Sequence, residues 1–170
     1  MKKFVVLFVL ICSMGFAQSK QTFNEKDWLG NWKGTLNIIM AGKFNTVPME
    51  LWIYKTDTPD KYGWKTSYGQ GVSALKKDYF LYPKDAERGE WILDEDNNIL
   101  LDFFYGDNQF HSFFETQNIL LSSRYDLKDG KIFMEVLSAQ KEKQSKSGTG
   151  KEECISYPIY VIQKAELTRN

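Results

Sequence analysis

The chain has 170 residues, with 22 Lys and Arg set against 22 Asp and Glu, and aromatic residues make up 15% of it. This length fits one domain around one core. The balanced charge argues against a nucleic-acid partner, which would need a basic face to replace phosphate counterions.

Residues 1–17 combine Lys2 and Lys3, an unbroken apolar run from Phe4 to Ile11, and a small-residue exit at Gly15-Phe16-Ala17. This is the anatomy of a secretion signal. The run is far shorter than the roughly 20 residues that span a bilayer, so no membrane span is expected. Bulky Ile11 ahead of Cys12 argues against a lipid anchor on that cysteine. Cleavage after Ala17 starts the mature chain at Gln18 and removes two of the 22 basic residues, leaving 20 against 22 acidic ones, a formal charge of −2. It also leaves Cys154 as the only cysteine, so the mature fold holds by packing without an intramolecular disulfide. Cys154 is then either an inert buried thiol or a site of intermolecular pairing. The expected division is a signal peptide at 1–17 and one domain at 18–170, located in the periplasm or outside the cell, with no oligomeric state implied.

Thr22-Phe23-Asn24-Glu25 has the form of a capping box and predicts a short helical turn up to Trp28. Trp28-Leu29-Gly30-Asn31-Trp32 then leads into an alternating strand with Trp32, Gly34, Leu36 and Ile38 on one face. The next runs place Val47, Met49, Leu51 and Ile53, and then Tyr62, Trp64, Thr66 and Tyr68, on single faces. Further strands are predicted at 75–83, 90–94, 99–105, 109–116, 120–127, 131–139 and 155–168. Asp96-Asn97-Asn98, Gly106-Asp107-Asn108 and Asp129-Gly130 read as hairpin links. Residues 140–153, rich in Lys, Glu, Ser and Gly without apolar periodicity, read as a mobile hairpin loop. The fold expected is all-β: one antiparallel meander of about 8–10 strands closed into a barrel, because closure removes exposed edges. A β-sandwich is the runner-up.

At Gly30-Asn31-Trp32, after a helical turn and before a strand meander, the chain resembles the lipocalin-like, or calycin, superfamily. The resemblance implies that Trp32 plugs the closed end of the barrel and that a basic residue near the end of the last strand, Lys164 or Arg169, packs across its ring. Tyr68-Gly69, a Lys-Lys-Asp-Tyr run, Trp-Ile-Leu-Asp-Glu and Ser156-Tyr157-Pro158 look like small secreted proteins of Bacteroidota-type bacteria. The resemblance carries over no catalytic residue.

Motifs that would specify chemistry fail on inspection. His111 is the one histidine, in a mid-chain strand, and a lone strand histidine reads as structural or surface before it reads as a heme ligand. Asp94-Glu95-Asp96-Asn97-Asn98 opens like a calcium loop, but Ile99 stands where glycine is needed and Tyr105 where a bidentate Glu is needed. Gly148-Thr149-Gly150-Lys151 lacks the first glycine and the Ser/Thr of a phosphate loop. Ser112, Ser122 and Ser123 have no nucleophile elbow around them. Two-carboxylate glycoside chemistry depends on spatial separation, which sequence leaves open. No metal, cofactor or catalytic residue is assigned.

Polar groups in apolar strands are the positive clue. Arg124 shares a parity with Leu120, Ser122 and Asp126; turned inward it would need Glu50, Asp102, Glu115 or a ligand carboxylate, and turned outward it meets water or Glu135. The outward reading is favoured, because Arg is seldom fully buried. The aromatics from Trp52 to Phe114 are mainly core. The candidate ligand residues are Arg124, Tyr68, Trp64, Tyr62, Phe103, Tyr105, Phe114 and Glu115, and the candidate barrel-closing residues are Gly30, Trp32, Lys164 and Arg169. The leading function is binding of a small hydrophobic or amphipathic molecule without catalysis. A filled barrel that recognises protein or glycan through its loops is the second reading, and an enzyme acting on a bound small molecule is the third.

Overall fold

The computed structural model describes residues 22–170, so the signal peptide expected at 1–17, with Gln18 as the new N-terminus, lies outside the described residues. One short α-helix, α1 (Glu25–Trp28), precedes β1 (Gly30–Met40), β2 (Lys43–Lys55), β3 (Tyr62–Tyr68), β4 (Leu75–Asp85), β5 (Glu90–Asp94) and β6 (Leu100–Gly106). After these come β7 (Gln109–Thr116), β8 (Ile119–Lys128), β9 (Lys131–Gln140), the short β10 (Ser145–Ser147) and β11 (Cys154–Ser156), and β12 (Ile159–Arg169). Nine of the strands follow one another as antiparallel neighbours from β1 to β9, and β12 closes the ring between β9 and β1. The expected all-β meander barrel is therefore present, with ten strands. Among the described residues no helix is long and apolar enough to cross a bilayer.

Two-residue turns set this meander. Ala41-Gly42, Asp107-Asn108, Gln117-Asn118 and Asp129-Gly130 all carry positive φ at both positions, the twist that matches right-handed strand pairs. Asp and Asn tolerate that conformation, and three of these links carry one or both of them: Asp107-Asn108, Gln117-Asn118 and Asp129-Gly130.

Three expectations change at the ends of the chain. The capping box does not form: Asn24 is the N-cap and its amide donates to the Asp27 carboxylate at 2.6 Å. Glu25 turns instead to the barrel, pairing with Lys55 at 2.5 Å and accepting from the Tyr62 hydroxyl at 3.1 Å. The last strand begins at Ile159, not at 155, because Pro158 has no N–H to give a ladder; Cys154–Ser156 pairs instead with Ser145–Ser147 as a small separate hairpin. Cys154 is consequently exposed, which overturns its reading as a buried thiol.

Alternate residues point into the barrel and pack one end of it solid. Trp28, Trp32 and Trp64 are almost completely buried there with Leu51, Ile53, Ile132 and Leu167. Phe23 drops into the same end, its ring 4.8 Å from Trp91, 5.3 Å from Tyr62 and 5.5 Å from Tyr105. The Trp32 indole donates to the Trp28 carbonyl at 2.8 Å, which ties the first strand to the helix. Trp52 and Tyr54 depart from the core expectation: they sit on the outer face, their ring centres 4.6 Å apart and the rings tilted by 35°.

Arg169, from the last strand, lies 4.5 Å from the centre of the Trp32 ring. Its guanidinium also donates to the Asp27 carbonyl. Gly30, at φ +145°, leaves room for it, since a Cβ there would stand 3.2 Å from Arg169 Nε. Lys164 does not join this closure. Register turns it outward, where it pairs with Glu135 at 2.8 Å in solvent. We expect Arg169→Ala to lower unfolding free energy by about 1–2 kcal/mol through the lost cation–π contact and hydrogen bond. Lys164→Ala should change it by less than about 0.5 kcal/mol, the worth of an exposed pair; urea denaturation of both variants compares the two.

Candidate functional site

The barrel is filled at the helical end and hollow at the other. Above the aromatic plug lies a cavity of about 1000 Å³ that opens between the β3–β4, β5–β6 and β7–β8 links. Its walls are apolar: Leu36, Val47, Leu93, Leu101, Phe103 and Val136 all face it. Each stands at an inward parity of its strand, so the same alternation that builds the core builds the wall.

Polar groups enter in two zones. Deep inside, Tyr68, Tyr79, Tyr125, Ser123 and Gln163 face the cavity, and all are uncharged. At the mouth stand Lys77, Glu95 and Glu115, the last paired with Lys141 at 2.7 Å. Burial pushes the Tyr68, Tyr79 and Tyr125 phenols above the ordinary tyrosine range, with Glu95 and Tyr68 adding to the effect on Tyr79. Beside them, Thr66 Oγ1 and Trp64 Nε1 are buried without a well-formed hydrogen bond among the described residues, although Thr66 adjoins Tyr68 and Trp64 adjoins Tyr125. A neutral floor of hydroxyls under apolar walls favours a molecule whose buried end is apolar or carries a carbonyl or hydroxyl. A charged group would remain at the mouth, because burial of an unpaired charge is costly.

The residues singled out from sequence divide between the two halves. Tyr68, Phe103 and Phe114 line the cavity, and Glu115 stands at its rim. Tyr62, Trp64 and Tyr105 point inward but belong to the plug, where Tyr62 serves the latch to Glu25 and its phenol is pushed up to about 12, by burial first and by Glu25 second. Arg124 is on the outer face, 3.5 Å from Asp126, and is not available to a ligand inside the barrel. Glu135 lies opposite it in register but is held by Lys164. Tyr125 stands inward with Leu121 and Leu127, as the outward reading of Arg124 expects, while Tyr79, Ser123 and Gln163 are further lining residues, and their parity with Leu81, Leu121 and Ala165 is the signal that places them inside.

His111 points outward and hydrogen-bonds to Gln109 at 2.9 Å, so it cannot reach a ligand in the cavity. Ser112, its neighbour in β7, points the other way and is buried, so the two do not form a nucleophile–base pair. Asp94 and Asn97 accept backbone N–H groups of Asp96 and Ile99, at 2.9 and 3.1 Å, making residues 94–99 a turn closed by its own side chains. Among the described residues no group of three or more His, Cys, Asp or Glu could hold a metal ion.

Two solved structures share this architecture. The S-type phycobiliprotein lyase CPES from Guillardia theta superposes with a TM-score of 0.62 at 10% identity, covering 89% of this chain and 94% of that one. A protein of unknown function from the DUF3598 family of Nostoc punctiforme gives 0.60 at 12% identity, covering 88% of this chain. The chain is a lipocalin-like barrel in fold. It spans 50% of the Nostoc protein's length. No protein-family model and no curated protein sequence matches the chain.

A phenol whose value is raised on folding stabilises the folded state below the ordinary tyrosine value, about 10, and that contribution fades as pH rises through the raised values. We therefore expect phenolate absorbance of the native protein at about pH 11 to fall short of the full set of nine tyrosines. The missing absorbance should appear in a step that coincides with loss of the β circular-dichroism signal. Complete ionisation in one step while the fold persists would contradict burial of Tyr79 and Tyr125.

Proposed function

We propose that this protein is an exported, non-catalytic carrier that holds one small hydrophobic or amphipathic molecule in the open half of its barrel. The observation that carries this reading is the cavity itself: about 1000 Å³, apolar on its walls and neutral-polar on its floor. That volume is at the upper end of small-molecule sites, roughly 300–1000 Å³. A barrel serving only as a filled interaction module has no use for such a space. The bound molecule is oriented with its apolar body on Leu36, Val136 and Phe103 and a carbonyl or hydroxyl on Tyr68, Tyr79 or Tyr125. A flat, pigment-like molecule is one occupant that suits the space, and the likeness in fold to a phycobiliprotein lyase supports it. Export rests on Lys2, Lys3, the apolar run and the Gly15-Phe16-Ala17 exit, together with a likeness to small secreted proteins of the Bacteroidota type.

Binding of a dansylated undecanoic acid, followed by its fluorescence, tests the reading. Val136→Trp places an indole in the cavity from β9 and is expected to weaken the probe at least about tenfold, 1.4 kcal/mol, with the unfolding midpoint little changed. Tyr68→Phe removes one hydroxyl and is expected to cost about 0.5–1.5 kcal/mol for a probe that hydrogen-bonds there. Probe binding that ignores Val136→Trp would place the probe elsewhere and contradict the reading.

A further inference from the structure

The β6–β7 ladder differs from every other in the barrel. It runs from Gly106 opposite Gln109 to Phe104 opposite His111 and goes no further, although β6 extends to Leu100 and β7 to Thr116. On their other sides both strands stay paired through this stretch, β6 with β5 from Phe104 to Leu100 and β7 with β8 as far as Thr116. The wall is therefore split over the half that encloses the cavity. A cleft of about 570 Å³ occupies the split on the outside, and its lining mixes the two faces of the sheet: Phe104, Phe113 and His111 from the outer face, Phe103 and Ser112 from the inner one. Phe103 lines the cavity as well, so one ring separates the cleft from the lumen.

The lips of the cleft are apolar. Phe113 is 72% exposed and Phe104 54%, with Leu100 exposed further along the same edge. The Ser112 hydroxyl is buried beneath them with no hydrogen-bond partner among the described residues. A continuous wall would have paired these backbones.

We propose that the split between β6 and β7 is a side entrance to the cavity, through which the apolar chain or ring of an amphipathic ligand passes with Phe103 as its gate. This rests on the cavity being the ligand site. Phe104 and Phe113 receive the apolar part, the Phe103 side chain turns aside, and the Ser112 hydroxyl offers a hydrogen bond to a polar group in transit. The ligand's charged end stays outside beside Lys84, Asp102 and His111 until the apolar part is seated.

Closing the split tests this. In a Cys154→Ser background, Asp102→Cys with Phe113→Cys allows the lips to be joined by a disulfide, and the same protein is compared oxidised and reduced. Stopped-flow mixing with the dansylated undecanoic acid should show association and dissociation both slowed at least about tenfold in the oxidised form, with the dissociation constant changed less than about twofold. Ser112→Trp, which fills the passage from within, should slow both rates also and serves if the disulfide does not form. Rates unchanged in the disulfide-bonded protein, or in Ser112→Trp if the bond cannot be made, would overturn the entrance while leaving the cavity reading intact. A protein that binds no probe in any form would overturn both.

Discussion

Arg169 joins three parts of the chain that are far apart in sequence. It lies over the ring of Trp32 in the first strand, donates to the carbonyl of Asp27 in the helix, and itself belongs to the last strand. The ring of strands closes at this seam, where β1 meets β12 and a Cβ on Gly34 would stand 2.0 Å from the Glu166 carbonyl oxygen. The seam runs the length of the wall, from Trp32 opposite Arg169 to Met40 opposite Val161, so it closes the plugged half and the open half alike. With Trp28, Trp32, Phe23 and Trp64 filling the lower half, apolar burial at roughly 25 cal/mol per Å² is concentrated at one end. The upper half is thereby free to remain hollow without leaving the fold short of a core.

That division explains the different character of the two halves. In the plug, rings meet edge to face, as Trp28 does with Phe110 at 5.0 Å, and polar atoms such as the Trp32 indole nitrogen are spent on tying elements together. In the cavity, hydroxyls of Tyr68, Tyr79 and Tyr125 stand on an uncharged floor, and the charged lining residues, Lys77, Glu95 and Glu115, are at the mouth. Such a surface is suited to hold a molecule, and the histidine stands outside the barrel.

Much of this was legible in the chain. Period-2 alternation gave the inward faces of β1, β2 and β3 residue for residue, and Asp107-Asn108 and Asp129-Gly130 announced two of the turns. The same alternation does not say how far up the barrel a residue sits, so Tyr62, Trp64 and Tyr105 read as ligand contacts when they are plug, and Tyr79 and Tyr125, inward by parity, carry nothing in sequence that marks them as cavity floor and not as core. Arg124 could be resolved only by register, which depends on pairing with β7 and β9. The split between β6 and β7 left no trace, because a strand's pattern is the same whether its neighbour is bonded to it or stands apart. Pro158 was the one visible signal for the break before β12.

Native mass spectrometry of the chain recovered without detergent, with an organic extract of the same sample analysed alongside, tests the central claim most directly. The account predicts a discrete added mass in one-to-one stoichiometry that leaves on denaturation, or that can be loaded from a mixture of small amphipathic molecules and is lost in Val136→Trp. A protein that remains at its bare mass after exposure to such mixtures would contradict a carrier and leave the hollow half of the barrel without a purpose in binding.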